Sequence, residues 1–128
     1  MRIIVAGGRK FDYYDLVCRE LDGFLKDKDK SDIEIVSGRA IGADRLGEKY
    51  AEEHNLTCVT FEAQWFTLGR RAGIVRNGQM ADYASECSEG VLFAFWNGVS
   101  KGTKNMIDQA TAKGIDVHIV RYDLEEES

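Results

Sequence analysis

The sequence contains no proline at all. Its turns must therefore be built on glycine or on Asn and Asp side chains, so the 13 glycines mark the places of unusual backbone. No apolar run is long enough to cross a membrane, and the start, MRIIVAGGRKFD, turns polar too soon for a secretion signal. The sequence thus predicts a cytoplasmic protein with no membrane partner.

Cysteine and histidine are also scarce. Cys18, Cys58 and Cys87 are widely spaced and form no CxxC pair, which is typical of reduced thiols rather than of disulfides or zinc ligands. His54 and His118 lie far apart in the chain, with no metal-binding motif around either. No metal site is predicted.

Positive charge is limited. The chain has 17 Lys and Arg residues against 22 Asp and Glu residues, a net charge of −5, and no basic block. This balance disfavours general binding to duplex DNA or to an anionic membrane. A small anionic ligand remains compatible with it, because a few local cations and backbone N–H groups can hold such a ligand.

Short apolar runs alternate with helical patterns along the whole chain. Five strands are predicted, at RIIVAGG, IEIVSG, LTCVTFE, GVLFAFW and IDVHIVRY. Four helices are predicted: one after a capping box of Asp12 and Asp15, one after SGRAIGAD, one at AGIVRNGQMADYASE and one at KNMIDQATAKG. QWFTLGRR is predicted to be a loop. We expect a single domain over residues 1–122, followed by an acidic tail, DLEEES, at 123–128.

The strands are continuously apolar rather than alternating, which is typical of strands buried on both faces. We therefore predict an α/β fold, a doubly wound three-layer sandwich around a mostly parallel five-stranded sheet with the order 3-2-1-4-5 or close to it. In such folds ligands bind at the carboxyl ends of the strands, where the strand order reverses.

Small and polar residues collect after the strands, in GGRKFD, SGRAIGAD, FEAQW and FWNGVSKGT. Hydroxyl donors (Ser37, Ser100, Thr103) and cations (Arg9, Lys10, Arg39, Lys101) belong to the same loops. Two of the loops lead directly into a helix, whose N-terminal N–H groups attract phosphate. Such residues also occur simply because a strand and a helix pack closely, and Ser100 or Thr103 could be only an N-cap. Two such loops, together with Arg9, favour an anion-binding edge.

Three further residues have two interpretations each. Asp44 could bind ribose hydroxyls or a base, or could simply stabilise the first turn of its helix. Trp65 follows a strand and could stack on a nucleobase, although aromatic residues usually belong to the core. Arg76 shares a helix face with small and apolar residues, so it could point towards a ligand or extend over the helix surface.

A family resemblance emerges from four stretches that span nearly the whole chain: GGRKFDYYD, VSGRAIGADRLGEKYA, QW…GRRAGIVRNGQM and FAFWNGVSKGT…MIDQA. In this order they resemble the SLOG superfamily, in particular its small YspA-like branch, which is related to the Lonely Guy enzymes and to the Rossmann-like part of DprA. The resemblance implies a Rossmann-like fold, a nucleotide or nucleotide-derived ligand, and a homodimer or higher homo-oligomer. No cofactor besides that ligand is predicted.

Carried over residue by residue, the resemblance marks Gly7, Arg9, Ser37, Gly38, Gly42, Asp44, Trp65, Arg76, Asn77, Ser100, Gly102 and Thr103 as ligand-binding. Gly8, Ala43, Asn97, Gly98 and Lys101, in the same strand-end loops, complete the candidate set.

One departure from the family pattern concerns catalysis. Lonely Guy enzymes carry PGGxGTxxE, whose glutamate helps to cleave an N-glycosidic bond, assisted by an arginine from the preceding helix. Here Gly102 and Thr103 match the GT, but Met106 replaces the glutamate. Arg76 matches the arginine, and it is the one candidate catalytic residue. Methionine cannot act as an acid or a base.

The leading hypothesis is therefore a binding protein, a sensor or a sequestering protein for a nucleoside phosphate or an NAD- or ADP-ribose-derived signal. The alternative is a phosphoribohydrolase in which Asp44 or Glu62 replaces the missing glutamate. Single-stranded DNA binding, by analogy with DprA, is disfavoured by the acidic balance.

Overall fold

The computed structural model describes residues 1–122, so the acidic tail predicted at 123–128 lies outside the described residues. The strands are β1 (Arg2–Gly7), β2 (Glu34–Ser37), β3 (Thr57–Thr60), β4 (Gly90–Trp96) and β5 (Asp116–Arg121). The helices are α1 (Tyr14–Leu25), α2 (Ala43–Glu53), α3 (Trp65–Leu68), α4 (Ala72–Ser85) and α5 (Lys101–Ala112), with 3-10 turns at Lys30–Asp32 and Gly69–Arg71. Among the described helices, none is long and apolar enough to cross a membrane.

The five strands form one sheet in the order β3-β2-β1-β4-β5, with every neighbouring pair parallel. The predicted fold class and strand order are confirmed. The chain runs outward from β1 to β3 and then returns to β4 on the other side of β1. The order therefore reverses between β1 and β4, which opens a crevice at their carboxyl ends.

Two layers of helices cover the sheet. On one face, Val5 and its neighbours pack against α1 and α2 around Val17 and Tyr50. On the other face, Ile4 and Ala94 belong to a second core cluster with residues of α4 and α5. Alternate residues of β1 thus pack into cores on opposite faces of the sheet, which explains why consecutive residues of this strand are apolar. The prediction of strands buried on both faces is wrong for the two edge strands: three of the four residues of β3 are exposed, and none of the six residues of β5 is buried.

The structure corrects three local predictions of secondary structure. Helix α1 begins at Tyr14 without any side-chain cap, so the capping box of Asp12 and Asp15 is wrong. QWFTLGRR is not a loop. It contains α3 and a 3-10 turn, and the turn begins at Gly69, the C-cap residue of α3, which has φ +55°. Helix α5 begins at Lys101, three residues early, because the Ser100 hydroxyl accepts a hydrogen bond from the Thr103 N–H at 3.4 Å.

Cys18, Cys58 and Cys87 are free thiols in the folded domain. Within residues 1–122 no group of three or more His, Cys, Asp or Glu side chains could hold a metal ion.

Candidate functional site

A cleft of about 720 Å³ lies at the reversal point between β1 and β4. Its wall includes these predicted ligand-binding residues: Gly7, Gly8, Arg9, Asp44, Trp65, Arg76, Asn77, Asn97, Ser100, Lys101, Gly102 and Thr103. A smaller cavity of about 450 Å³ adjoins it and includes Gly38. The topology thus brings loops that are far apart in the sequence to one edge of the sheet.

The cleft is positively charged although the protein is acidic. Among the described residues of its wall, five are basic (Arg9, Lys10, Arg70, Arg76 and Lys101) and one, Asp44, is acidic. The whole chain carries a net charge of −5. A concave site lined by one sign of charge concentrates ligands of the opposite sign, so this cleft favours anions.

The first turn of α5 presents its backbone to the cleft. The Asn97 side chain accepts hydrogen bonds from the N–H groups of Val99 and Ser100, at 2.8 and 2.9 Å, and so fixes the loop before the helix. Gly102 is exposed, and a Cβ atom there would meet nothing within 4 Å. The Ser100 hydroxyl caps the Thr103 N–H, but at Gly102 no side chain lies between the backbone of the first turn and a negatively charged group in the cleft.

The first turn of α2 differs, because the β1–α1 loop covers it. The Ala43 N–H donates to the Gly8 carbonyl at 3.3 Å, and Ala43 is fully buried. Gly42 has φ +93°, and a Cβ atom there would collide with the same carbonyl oxygen. Gly42 and Ala43, two of the predicted ligand-binding residues, thus lie behind the cleft wall, and only Asp44 of this turn reaches the cleft.

Ser37 and Gly98 also lie away from the cleft wall. Ser37 is fully buried; its hydroxyl donates to the Glu48 carboxylate at 2.6 Å and accepts from the Arg39 N–H at 3.1 Å. These bonds hold the β2–α2 turn, in which Arg39 adopts φ 67°. Gly98, at φ +84°, packs against the Arg121 guanidinium. Both residues shape loops and are not part of the cleft wall.

Arg76 points into the cleft, and its guanidinium is held from two sides. Nη1 donates to the Gly38 carbonyl at 2.6 Å, and Nε donates to Asn77 Oδ1 at 3.0 Å. Burial lowers the pKa of Arg76, while the nearby Asp44 carboxylate opposes that effect. Of the two interpretations of Arg76, the inward one is therefore correct.

Asp44 is the acidic residue of the cleft and is only 4% exposed. Its Oδ2 atom accepts a hydrogen bond from the Ala40 N–H at 3.4 Å. Burial raises the pKa of Asp44 to about 6, although the Arg76 guanidinium acts in the opposite direction. The carboxyl group thus exchanges its proton near neutral pH, and it lies beside the cation that an anionic ligand would meet.

Asn77 connects the arginine to the first turn of α5. Its side chain is buried, and Nδ2 donates to the Gly102 carbonyl at 3.4 Å and to Asn105 Oδ1 at 3.1 Å. Since Asn77 also accepts from Arg76, one amide side chain sets the position of the guanidinium relative to the open helix end. Asn77 is placed to position the site rather than to supply a charge.

Trp65 lies at the border of the two cavities and is 52% exposed. A Cβ atom on Gly73 would lie 3.6 Å from its ring, which is an ordinary van der Waals distance. The core interpretation of Trp65 is therefore wrong. Trp96, which ends β4, instead donates its indole N–H to the Ser100 carbonyl at 3.1 Å and supports the loop.

Some residues of the cleft wall were missed by sequence reasoning: Ala6, Ala40, Arg70, Gly73, Ile74, Asn105 and Tyr122. Tyr122 directly follows β5, so the same strand-end rule could have found it. Arg70 and Asn105 have polar side chains but do not directly follow a strand, and the other four residues are small or apolar. Met106, at the place of the Lonely Guy glutamate, is 1% exposed and contributes a thioether to the wall.

The sheet order and the cleft at its reversal point define a Rossmann-like α/β protein. The sequence model of the YspA, cpYpsA-related SLOG family matches residues 1–67, just over half of the chain, and the chain belongs to this family. It is also similar, at 28% identity over 125 residues, to the Gene 61 protein of Mycobacterium phage D29; the alignment covers 91% of this chain and 93% of that protein. No solved structure gives a significant match.

Proposed function

We propose that the cleft binds a nucleotide or a nucleotide-derived, phosphate-bearing ligand. The observation that carries this proposal is the concentration of five basic side chains, and a single acidic one, on the described wall of a cleft in an acidic protein. Membership of a SLOG family supports it, since that family is associated with nucleotide-related ligands. The volume of about 720 Å³ lies in the usual range for small-molecule sites, about 300–1,000 Å³.

The described contacts suggest a division of roles within the ligand. The phosphate would lie against the first turn of α5 at Gly102, with Arg9 and Arg76 as counter-charges. Asp44 would accept hydrogen bonds from ribose hydroxyls, and Trp65 would cover the base. The remaining predicted residues of the wall would provide backbone N–H groups and shape.

A substitution that adds one methyl group to α5 tests the position of the phosphate. Gly102→Ala should weaken binding of ADP at least tenfold, because the new Cβ atom would occupy space that is open to the cleft. Stability should not fall, since alanine is favoured over glycine within a helix by about 0.5–1 kcal/mol. Isothermal titration calorimetry and urea unfolding would measure the two effects.

The matched control is Gly23→Ala on α1. Gly23 is also an exposed helical glycine whose added Cβ atom would meet nothing within 4 Å, but it does not line the cleft. This variant should keep full affinity for ADP. If the wild type and Gly102→Ala bind ADP with equal affinity, the phosphate does not bind at the end of α5.

A second candidate function is cleavage of an N-glycosidic bond in a nucleoside 5′-monophosphate. One observation favours it: the cleft contains a buried carboxyl group, Asp44, whose pKa is raised by burial to about 6, next to Arg76. A group with this pKa could give a proton to a departing base. The described part of α5 supplies no carboxylate to the cleft, because Met106 lies where the glutamate would be.

Incubation with nucleoside monophosphates and with NAD separates the two candidates. We expect no free base above the uncatalysed rate, as measured by chromatography, because Met106 replaces the carboxylate that would stabilise a ribosyl cation. Steady release of base that is abolished in both Arg76→Ala and Asp44→Asn would reverse the ranking and make the protein a phosphoribohydrolase.

Two wider features of the proposal follow from the family resemblance. A protein that binds such a ligand without altering it would act in the cytoplasm as a sensor or as a sequestering protein. The homodimer also stays a proposal. Phe66, Ile74 and Val75 expose apolar side chains on α3 and α4, where a second copy could pack.

A further inference from the structure

The β2–α2 turn (residues 38–42) contacts the two charged side chains that meet in the cleft. Its Gly38 carbonyl accepts a hydrogen bond from Arg76 Nη1 at 2.6 Å. Its Ala40 N–H donates to Asp44 Oδ2 at 3.4 Å. The fit is close, because a Cβ atom on Gly38 would lie 2.7 Å from Arg76 Nη1 and 2.8 Å from Asp44 Oδ2. The position of this turn therefore sets the positions of both side chains.

The same turn contains a residue in an unfavourable backbone conformation. Arg39 has φ 67°, in the left-handed region, where the Cβ atom of any residue except glycine is crowded by its own backbone. Within the described range 1–122, the other non-glycine residue with positive φ is Asn55, and asparagine is a residue type that often adopts this region. Arginine is not, so the contacts around Arg39 must offset the cost of its conformation.

The Glu48 carboxylate of α2 provides two of these contacts. Oε1 accepts a hydrogen bond from Arg39 Nη1 at 2.6 Å, and Oε2 accepts one from the Ser37 hydroxyl at 2.6 Å. Ser37 Oγ in turn accepts from the Arg39 N–H at 3.1 Å. Glu48 thus binds, with one carboxylate, the residue before Gly38 and the residue after it.

Glu48 itself does not line the cleft. It belongs to the described wall of neither cavity, and both of its carboxylate oxygens already accept hydrogen bonds. Its side chain is 17% exposed, and a largely buried carboxylate is stable only when it is paired and hydrogen-bonded. Its negative charge would also oppose the binding of an anion. Any contribution of Glu48 to the site must therefore pass through the turn.

We propose that Glu48 is a positioning residue for the cleft. It holds Arg39 in the left-handed conformation and thereby fixes the Gly38 carbonyl to which Arg76 is bonded. The guanidinium is then directed into the cleft before a ligand arrives, which lowers the cost of ordering it on binding. The link to ligand affinity rests on the proposed function, whereas the order of the guanidinium is a property of the free protein.

Glu48→Gln tests the contacts of Glu48 with the turn. Glutamine has one acceptor oxygen where glutamate has two, so it cannot accept from both Ser37 and Arg39. We expect this variant to bind ADP at least fivefold more weakly in isothermal titration calorimetry. Loss of a negative charge would by itself favour an anionic ligand, so weaker binding has to come from the displaced turn.

The matched control is Glu52→Gln, one helical turn further along α2. Glu52 is exposed and belongs to the described wall of neither cavity. This variant removes the same charge from the same helix, and it should bind ADP as tightly as the wild type.

Substitutions of Arg39 separate the backbone conformation from the ion pair. Arg39→Gly and Arg39→Ala both remove the side-chain contact with Glu48, but glycine adopts φ 67° freely and alanine does not. Added to Glu48→Gln, Arg39→Gly should restore ADP affinity at least threefold, and Arg39→Ala should restore none of it. As single substitutions, Arg39→Ala should bind ADP at least threefold more weakly than Arg39→Gly. This comparison keeps the test valid should Glu48→Gln fail to fold.

The order of the Arg76 guanidinium in the free protein gives a readout that needs no ligand. Its Nη1 protons, bonded to the Gly38 carbonyl, should give resolved resonances in proton–nitrogen NMR spectra at low temperature. Arg76→Lys would assign these resonances by their loss. They should broaden beyond detection in Glu48→Gln, return when Arg39→Gly is added, and persist in Glu52→Gln.

The outcomes separate the two proposals. If a folded Glu48→Gln protein keeps the Arg76 resonances or the ADP affinity of the wild type, Glu48 is not a positioning residue and the nucleotide site stands. The same conclusion follows if glycine and alanine at position 39 act alike. If the wild type binds none of AMP, ADP and NAD, the proposed function itself fails, and the NMR comparison still decides whether Glu48 orders Arg76.

Discussion

Arg76→Ala should weaken binding of ADP at least about 30-fold, because truncating a partly buried, hydrogen-bonded charge in a binding site typically costs about 2–5 kcal/mol of binding free energy. The guanidinium is pre-positioned by the Gly38 carbonyl and by Asn77, so the ligand meets a cation that needs little further ordering. Removing it also leaves the Asp44 carboxylate without its cation, next to the ligand's phosphate. Both effects act in the same direction, and calorimetric titration would measure their sum.

Arg71→Ala is the matched control for Arg76→Ala. Arg71 ends the 3-10 turn just before α4, is exposed, and borders neither cavity. It removes the same charge from the protein, so an equal loss of affinity in both variants would indicate a general electrostatic effect. Thermal unfolding of both proteins would show whether Arg76→Ala keeps its fold. If a folded Arg76→Ala protein has an affinity for ADP within threefold of that of the wild type, Arg76 does not contribute to the site.

The fold was predictable because its signals are local. Each strand is a short apolar run, and β1 and β4 show the unbroken burial that such runs predict. The strand order followed from one general rule on parallel sheets, not from any single residue. The errors lie where local signals compete: Asp12 and Asp15 suggested a cap, but Tyr13 holds the N-cap position of α1.

The candidate site was predictable only in outline. Loops after parallel strands meet at one edge whatever their sequence, which is why Arg9, Trp65 and Gly102 share one cleft. The sequence could not show which side of a turn faces that cleft. Ser37 and Gly42 have the residue types of a phosphate site, yet Ser37 bonds to Glu48 of α2 and Gly42 packs against the Gly8 carbonyl.

The partnership of Arg76 with Asp44 was equally out of reach of the sequence. The two residues are separated by a strand and two helical segments, and their interaction depends on the depth of burial of each. Sequence spacing can place Arg76 on a helix face, but it cannot give a pKa. The same limit applies to the smaller cavity beside the cleft, whose wall combines the β2–α2 loop with the residues that follow β3.

Asp44→Asn should stabilise the free protein by up to about 3 kcal/mol at pH 7.5, since a pKa difference of one unit corresponds to about 1.36 kcal/mol. In the folded protein burial raises the pKa of Asp44 from 3.8 to about 6. At pH 7.5 the group is ionised in both states, and the folded state carries the cost of the buried charge. Asparagine has nearly the same shape and no charge, so it removes that cost. Urea unfolding would measure the gain.

The pH dependence identifies the cause of this gain. Between pH 3.8 and about 6 the folded protein binds more protons at Asp44 than the unfolded chain does. The free energy of unfolding of the wild type therefore rises as the pH falls through this window, and the advantage of Asp44→Asn disappears near pH 4. Asp27→Asn, at an exposed position in the turn after α1, controls for the general loss of a negative charge and should leave the curve nearly unchanged.

Ligand binding should respond in the opposite direction. If Asp44 accepts hydrogen bonds from ribose hydroxyls, Asp44→Asn should weaken binding of ADP about tenfold or more while it raises stability. Asp44 would then be a carboxylate that lowers the stability of the free protein and contributes to the binding of the ligand. A variant that is more stable and binds ADP as tightly as the wild type would show that Asp44 takes no part in the site. A variant with no gain in stability at pH 7.5 would show that the charge is already compensated by Arg76.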